Sequence, residues 1–518
     1  MFSIALSPES PVTFERNARS RSHGIGGHDA PEYPSDSQTL KFIEEAEVLK
    51  MDDHWIDAEI DPGVFPDVRL ARRLRLLLGQ LARAPGQSLP LVCQDWANTK
   101  AAYRFLSNDR VDEAQILAGH IAATRRRMAL ANDKPVLILH DTTEFSWTRK
   151  SHQPIGMLGL TNSGRDSQGR SRLHTVCGLL MHSSLAVTCD GLPLGLAAIK
   201  FWSRAKFKGT NALKRSINPT RVPIEHKESI CWLDNLWAST AWANDSQEFV
   251  HIGDRESDIY ELFCKAREAG DHFIFRTCAD RLAGVGHCTV AQYMDRVRFQ
   301  GLHRVQVRDA KGNRRQAAVE LKYCLVPILP PRAKQSRYPA LTLTVLQACE
   351  RRPPSGVAPI DWKLITDLPV RSRQEAIDKL QWYAMRWKIE TFHKILKSGC
   401  RAEESHLRTA QRLTNRIALM CVLGWRIFWL TMMNRVAPDG SAGLVLTQQE
   451  TNLLAKLVRQ MTPPARLTVR HCVNQLARLG GYMARAHDPP PGNMVVWRGM
   501  ARLTDIELGF NLAGRICG

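Results

Sequence analysis

Two short apolar runs, each ending in an aspartate, do most to limit what this chain can fold into. PVLILH (135–140) runs into Asp141-Thr142-Thr143, and EFVHIG (248–253) runs into Asp254. Apolar runs of this length read as buried strands. Strands buried on both faces belong inside a sheet with helices packed on either side. Acids at their ends then stand at the sheet edge, where α/β folds bind ligands. Residues 174–200 read as two further strands joined at Asp190-Gly191, a strong hairpin turn. A helix is expected over 257–269 with Gly270 as its terminating residue, and a strand over 272–276. The expected class is α/β.

Helical patterns flank this region. In DVRLARRLRLLLGQLARAPG (67–86), Leu70, Leu74, Leu77, Leu78 and Leu81 share one face. Arg69, Arg72, Arg73, Arg75 and Arg83 take the rest, and Pro85-Gly86 ends the helix. SLPLVCQDW and NTKAAYRFLSN follow as shorter helices, with caps expected at Ser88 and Asn98. Three short helices with a basic surface suit a small DNA-binding unit, and equally a generic helical subdomain. Residues 1–46 lack periodicity and read as a disordered extension. Over 283–371, short β-like pieces alternate with Lys/Arg/Pro-rich turns, which suggests a β-rich insertion. Two long helices are expected at 374–397 and 405–433, then a helical tail from 436 interrupted by PPPG at 489–492.

Charge narrows the partners. Lys+Arg number 71 against 51 Asp+Glu, a net charge of +20, and such an excess attracts polyanions such as nucleic acid. The 13 cysteines form no CxxC pair, so neither a zinc knuckle nor a disulfide framework is indicated, and a cytoplasmic protein with reduced thiols fits. The N-terminal twenty residues lack the basic start and apolar stretch of a signal peptide. The most apolar stretch, 417–433, contains Trp425 and Arg426 and reads as a buried core helix, with no membrane partner.

A third acid lies inside the first long helix. With Tyr383 at 0° and about 100° per residue, Arg386 falls near 300°, Glu390 near 340°, Lys394 near 20° and Lys397 near 320°, on one stripe. Trp382, Met385, Ile389, Phe392 and Leu396 occupy a separate apolar stripe. Asp141, Asp254 and Glu390 together offer three hard oxygen ligands of the kind Mg²⁺ or Mn²⁺ takes. Taken singly, each residue also admits a structural reading: Asp141 in a turn, Asp254 as a helix cap, Glu390 paired on the surface with Lys394. The nearby histidines 140, 251 and 393 suit core hydrogen bonding or support of the acids.

Six segments in order carry a family resemblance: WANTKAAYRF (96–105), HDTT (140–143), GDRESD (253–258), WKLITDLPV (362–370), the spacing Tyr383-(2)-Arg386-(3)-Glu390-(6)-Lys397, and LARLGGYMA (476–484). Over residues 47–518 the sequence resembles the insertion-sequence-four family of DDE transposases, the group that includes the transposon-five enzyme. The resemblance implies an RNase H-like catalytic core with a mixed five-stranded sheet. It implies a helical N-terminal DNA-binding domain (47–110), catalytic segments 111–282 and 372–435 around the β-rich insertion, and a C-terminal helical dimerisation region (436–518). Asp141, Asp254 and Glu390 would bind two Mg²⁺ ions, with Mn²⁺ able to substitute. Tyr383, Arg386, Lys394, Lys397 and Arg276 would contact DNA, and Trp362 would stack a flipped base. Arg69, Arg72 and Arg73 are the candidate contacts of the N-terminal domain. The implied partners are double-stranded DNA, both transposon ends and target, and a second copy of the chain. The implied activity is cut-and-paste transposition through a DNA hairpin. The competing classes are a metal-dependent nuclease of the same fold and a DNA-binding regulator without strand transfer.

Overall fold

The computed structural model describes residues 55–516 apart from 85, 132–134, 149–153, 166–170, 205–221, 244–246, 285–286, 309–313, 358 and 458–466. The extension expected over 1–46 lies outside the described residues.

Five helices open the described chain: α1 (Trp55–Ala58), α2 (Val68–Arg83), α3 (Leu89–Cys93), α4 (Trp96–Leu106) and α5 (Glu113–Leu130). Helix α2 starts where Asp67 caps it and buries Leu74, Leu77, Leu78 and Leu81, the expected leucine face. Helix α4 begins earlier than expected. Its cap is Asp95, whose carboxylate accepts from the Asn98 amide, so Asn98 is inside the helix. Helix α5 had no clear periodic signal because it is buried on several sides, through Ile116, Gly119, His120, Thr124 and Arg127. A buried ionic knot fastens this bundle to the sheet. Arg127 Nη1 donates to Glu59 at 2.8 Å, His120 Nδ1 meets the other Glu59 oxygen at 2.5 Å, and Arg127 Nε donates to the Leu194 carbonyl at 2.5 Å.

The sheet begins with β1 (Val136–Thr148), β2 (Met157–Arg165), β3 (Ser171–Thr188), β4 (Pro193–Trp202), β5 (Phe249–Gly253) and β6 (His272–Arg276). Its central order is β4-β3-β1-β5-β6, with β2 on the other end of β3. Strands β1 and β3 are antiparallel, whereas β1, β5 and β6 run parallel. The parallel strands need crossovers, supplied by α6 (Ile230–Thr240) and α7 (Tyr260–Glu268). Helix α7 is shorter than the expected 257–269, because Arg255–Ser257 forms a separate 3₁₀ turn; Gly270 does adopt the left-handed conformation, φ +79°. The β3–β4 hairpin turns at Asp190-Gly191 as expected, with Gly191 at φ +86°.

The region 283–371 is β-rich, but it does not form a separate unit. Its strands are β7 (Leu282–Ala283), β8 (Cys288–Thr289), β9 (Gly301–Arg308), β10 (Arg314–Ile328), β11 (Leu341–Glu350) and β12 (Asp361–Thr366), with α8 (Val290–Arg296) between them. Strand β12 pairs antiparallel with β6, β11 with β12, and β10 with β11. The insertion therefore lengthens the central sheet to twelve described strands and covers the β6 edge, whose backbone groups would otherwise be exposed.

Helices α9 (Arg373–Ala384) and α10 (Trp387–Lys394) stand where one helix, 374–397, was expected. The helix breaks at Met385-Arg386 and passes into a π-helical turn at Ile395–Gly399. Helix α11 (Ala410–Val436) is long and apolar enough to cross a membrane, yet every residue from Leu413 to Asn434 is buried by protein. A helix buried all round is the centre of a core. The C-terminal part contributes α12 (Gln448–Leu457), α13 (Val469–Leu479) and α14 (Asn493–Ile516). A Cβ on Gly480 would lie 1.9 Å from the Val495 carbonyl oxygen, and one on Gly499 1.9 Å from that of Leu476. The glycines let α13 and α14 cross backbone to backbone, which gives LARLGGYMA a role within one chain.

Candidate active site

The pairing of β1 decides where Asp141 stands. The parallel β1–β5 ladder stops at Leu139↔Ile252, while β1 continues against β3 to Thr148. Asp141 is thus inside the strand and not at its end, but it lies just beyond the point where β5 leaves. Asp254 follows the last residue of β5 and caps the 3₁₀ turn, accepting from the Glu256 amide at 2.9 Å. The two acids therefore emerge at one edge. Helix α10 brings Glu390 to the same place.

Arg386 is the hub. Its guanidinium is buried, pairs with Glu390 one turn on, and lies 4.0 Å from Asp141 Oδ1. Asp141 Oδ2 faces His393 Nδ1 at 3.4 Å, and His393 Nε2 bonds the Ser183 hydroxyl at 2.7 Å. Ser183 is the register partner of Asp141 across β1–β3. Burial would raise the Asp141 carboxyl, but His393 and Arg386 outweigh it and hold the pKa below its ordinary value. Asp254 is pushed up by burial and by the Asp141 charge. Glu390 is also raised: burial leads, Arg386 opposes, and Asp141 and Asp254 add to the rise. Glu390 therefore feels both other acids and Asp254 feels Asp141, which none of the single-residue structural readings requires.

The remaining expected residues divide. Tyr383 is buried at the α9 end. Arg276 ends β6, is buried, donates to the Asp361 carbonyl at 3.3 Å, and lies close enough to Tyr383 and Arg386 for their charges to act on it. Lys397 lies 5.7 Å over the Phe145 ring; burial lowers its pKa, while Glu403, Glu144 and Asp141 pull it back up. Lys394 is exposed. So the acids, Arg386, Arg276 and Lys397 gather at one place, although the broken helix replaces the straight stripe. Trp362 corrects an expectation: it is 1% exposed, among the largest fully buried side chains. Its polar neighbours Asp361 and Lys363 lie on the opposite face of the strand, as alternation requires. The ring has no free face for a base.

A buried polar chain behind the acids was only partly foreseen. Asp271 accepts from His251 Nε2 (3.1 Å) and from the Thr240 hydroxyl (2.8 Å). Next, His251 Nδ1 meets His140 Nε2 at 2.8 Å, and His140 Nδ1 meets the Ser184 hydroxyl at 3.0 Å. Asn235 then donates to Ser184 at 3.1 Å. With Asp271 accepting only, the hydrogen bonds can run in one direction, from Asn235 and Ser184 through His140 and His251 to Asp271; burial drives the His140 pKa well down. The chain ties β1, β3, β5 and α6 together directly behind Asp141. Ser184, Asn235 and Asp271 carried no signal in the sequence, since only the strand register brings them together.

The donor set matches a hard dication in chemistry: three carboxylates whose mutual repulsion a divalent charge would relieve. Among the described residues, however, no three His, Cys, Asp or Glu side chains close to metal-ligand spacing, and Glu390 is drawn into the Arg386 pair.

In the N-terminal unit, Arg72 is exposed, Arg69 is exposed but pairs with Asp67, and Arg73 is committed to the protein, donating to the Asn98 side chain at 3.0 Å. Residues 52–111 match the transposase DNA-binding family. That match covers the helices α1 to α4 and supports a transposase that binds DNA through this unit.

Proposed function

We propose that this chain is a DDE transposase of the insertion-sequence-four kind, which cuts transposon ends and joins them to target DNA. The observation that carries the proposal is the convergence of Asp141, Asp254 and Glu390, with Arg386 among them, in a chain whose N-terminal unit matches a transposase DNA-binding family. The strand order β4-β3-β1-β5-β6, with only β3 antiparallel to its two neighbours, supports an RNase H-like core.

In this reading the three acids hold two divalent magnesium or manganese ions, which would supply Lewis-acid activation of the attacking oxygen and neutralise charge at the leaving oxygen. Lys397, Lys394 and Arg276 line the approach and bind the DNA backbone, since fixed cations register a duplex through its phosphates. Tyr383 and the β1–β3 pairing hold α9 and α10 against the sheet edge. Hydrolysis at each end frees a 3′-hydroxyl, which attacks the opposite strand to close a hairpin. A second hydrolysis opens it, and the 3′-hydroxyls attack target DNA. A dimer through the C-terminal helices would bring two ends together.

The test uses the full chain and a duplex carrying the terminal repeats that bracket its gene. Asp141→Asn, Asp254→Asn and Glu390→Gln should each abolish cleavage while DNA binding persists. Near-normal cleavage by any one of them removes that residue from the site. Joining of the cut ends to a target plasmid separates a transposase from a nuclease.

A further inference from the structure

The three acids are not held alike. Asp254 is fixed by a backbone amide, and Asp141 by His393, itself anchored on Ser183. The Asp254 contact uses one carboxylate oxygen, and the His393 contact uses Asp141 Oδ2, so neither of these two needs to break for the acid to offer its other oxygen to a cation. Glu390 differs. Its side chain is 38% exposed, and its hydrogen-bonding partner is the Arg386 guanidinium. Arg386 itself is buried, at 8% side-chain exposure, and also faces Asp141. Its charge is thus shared between two of the acids. The backbone around it is interrupted on both sides, by the break at Met385-Arg386 and by the π-helical turn after Lys394. Such interruptions mark places where a helix changes its local winding.

We propose that Arg386 is a latch on the metal site: it competes with a divalent cation for Glu390, and the Arg386–Glu390 pair must open before Glu390 can serve as a ligand. This rests on the reading of the acids as metal ligands. Two effects act in the same direction. Removing the guanidinium frees the carboxylate, and it also removes a positive charge that repels the incoming dication. A half-exposed pair of this kind accounts for up to about a fivefold change in affinity, and loss of the repelling charge brings the sum to about tenfold.

The experiment counts free Mn²⁺ by electron paramagnetic resonance, with the full chain at pH 8 so that the acids stay ionised. Arg386→Gln is expected to bind Mn²⁺ about tenfold more tightly than the unaltered protein. Arg386→Lys, which keeps the charge but loses the planar fork, should fall between them, and it answers the question if the Gln variant does not fold. Equal or weaker binding by folded Arg386 variants overturns the latch while leaving the metal site standing. Binding by the unaltered protein that survives both Asp141→Asn and Glu390→Gln overturns the metal-site reading and the latch with it.

Discussion

Replacing Glu59 with Gln should cost about 3–5 kcal/mol of stability, as expected when one partner of a buried ion pair is removed. Glu59 lies between α1 and the turn before α2, and Arg127 and His120 share its carboxylate. Burial alone would raise its pKa, but Arg127 and His120 reverse this and bring it from 4.5 down to about 2. At about 1.4 kcal/mol per pH unit, that fall corresponds to about 3 kcal/mol. The substitution keeps the shape and one acceptor, but it leaves the Arg127 guanidinium buried without a counter-charge. The sign of the pH dependence follows from the depressed pKa. The stabilisation is fully present above 4.5 and is lost as pH falls toward 2. Urea denaturation followed by tryptophan fluorescence should therefore show a constant gap between the two proteins above about pH 5, narrowing as the solution is made more acid. A gap below about 1 kcal/mol, the size of a surface pair, would refute the reasoning, as would a gap that does not change with pH.

Three further outcomes are expected. Trp362→Ala should lower stability by about 3–5 kcal/mol, with DNA nicking and hairpin formation falling together; a stable variant that nicks but fails only at the hairpin would show that the ring leaves its core site to meet DNA. Gly119→Ala places a Cβ 2.2 Å from the Ile60 carbonyl carbon and should cost more than about 2 kcal/mol. The control Gly79→Ala, whose nearest atom is 4.0 Å away, should be neutral or gain up to about 1 kcal/mol by melting temperature. Arg72→Gln should leave the melting temperature unchanged, weaken DNA binding, and reduce the slope of log affinity against log salt by about one; an unchanged slope would remove Arg72 from the DNA contacts.

What the sequence made legible follows from how local each signal is. The β3–β4 hairpin, the β6 strand and the leucine face of α2 are set by neighbouring residues, and all three stand where the pattern puts them. Helices α5 and α6 were not legible, because burial on several sides replaces an amphipathic stripe with mixed apolar and polar residues such as His120, Arg127 and Asn235. The α9–α10 segment shows where a local rule misleads. An unbroken helix puts Arg386, Glu390, Lys394 and Lys397 on one stripe, yet the winding changes at Met385-Arg386 and again at the π-helical turn Ile395–Gly399, and Lys394 faces solvent while Lys397 leans over Phe145. Trp362 misled in the opposite way. Polar neighbours on a strand report the other face of the sheet and say nothing about the residue between them. The acids were legible as residues, but their relation was not: Asp141 meets His393 only because β1 pairs with β3 in one register and α10 packs across that pair. A shift of that register by one residue would turn Asp141 to the opposite face of the sheet and dismantle the site while leaving every local element intact.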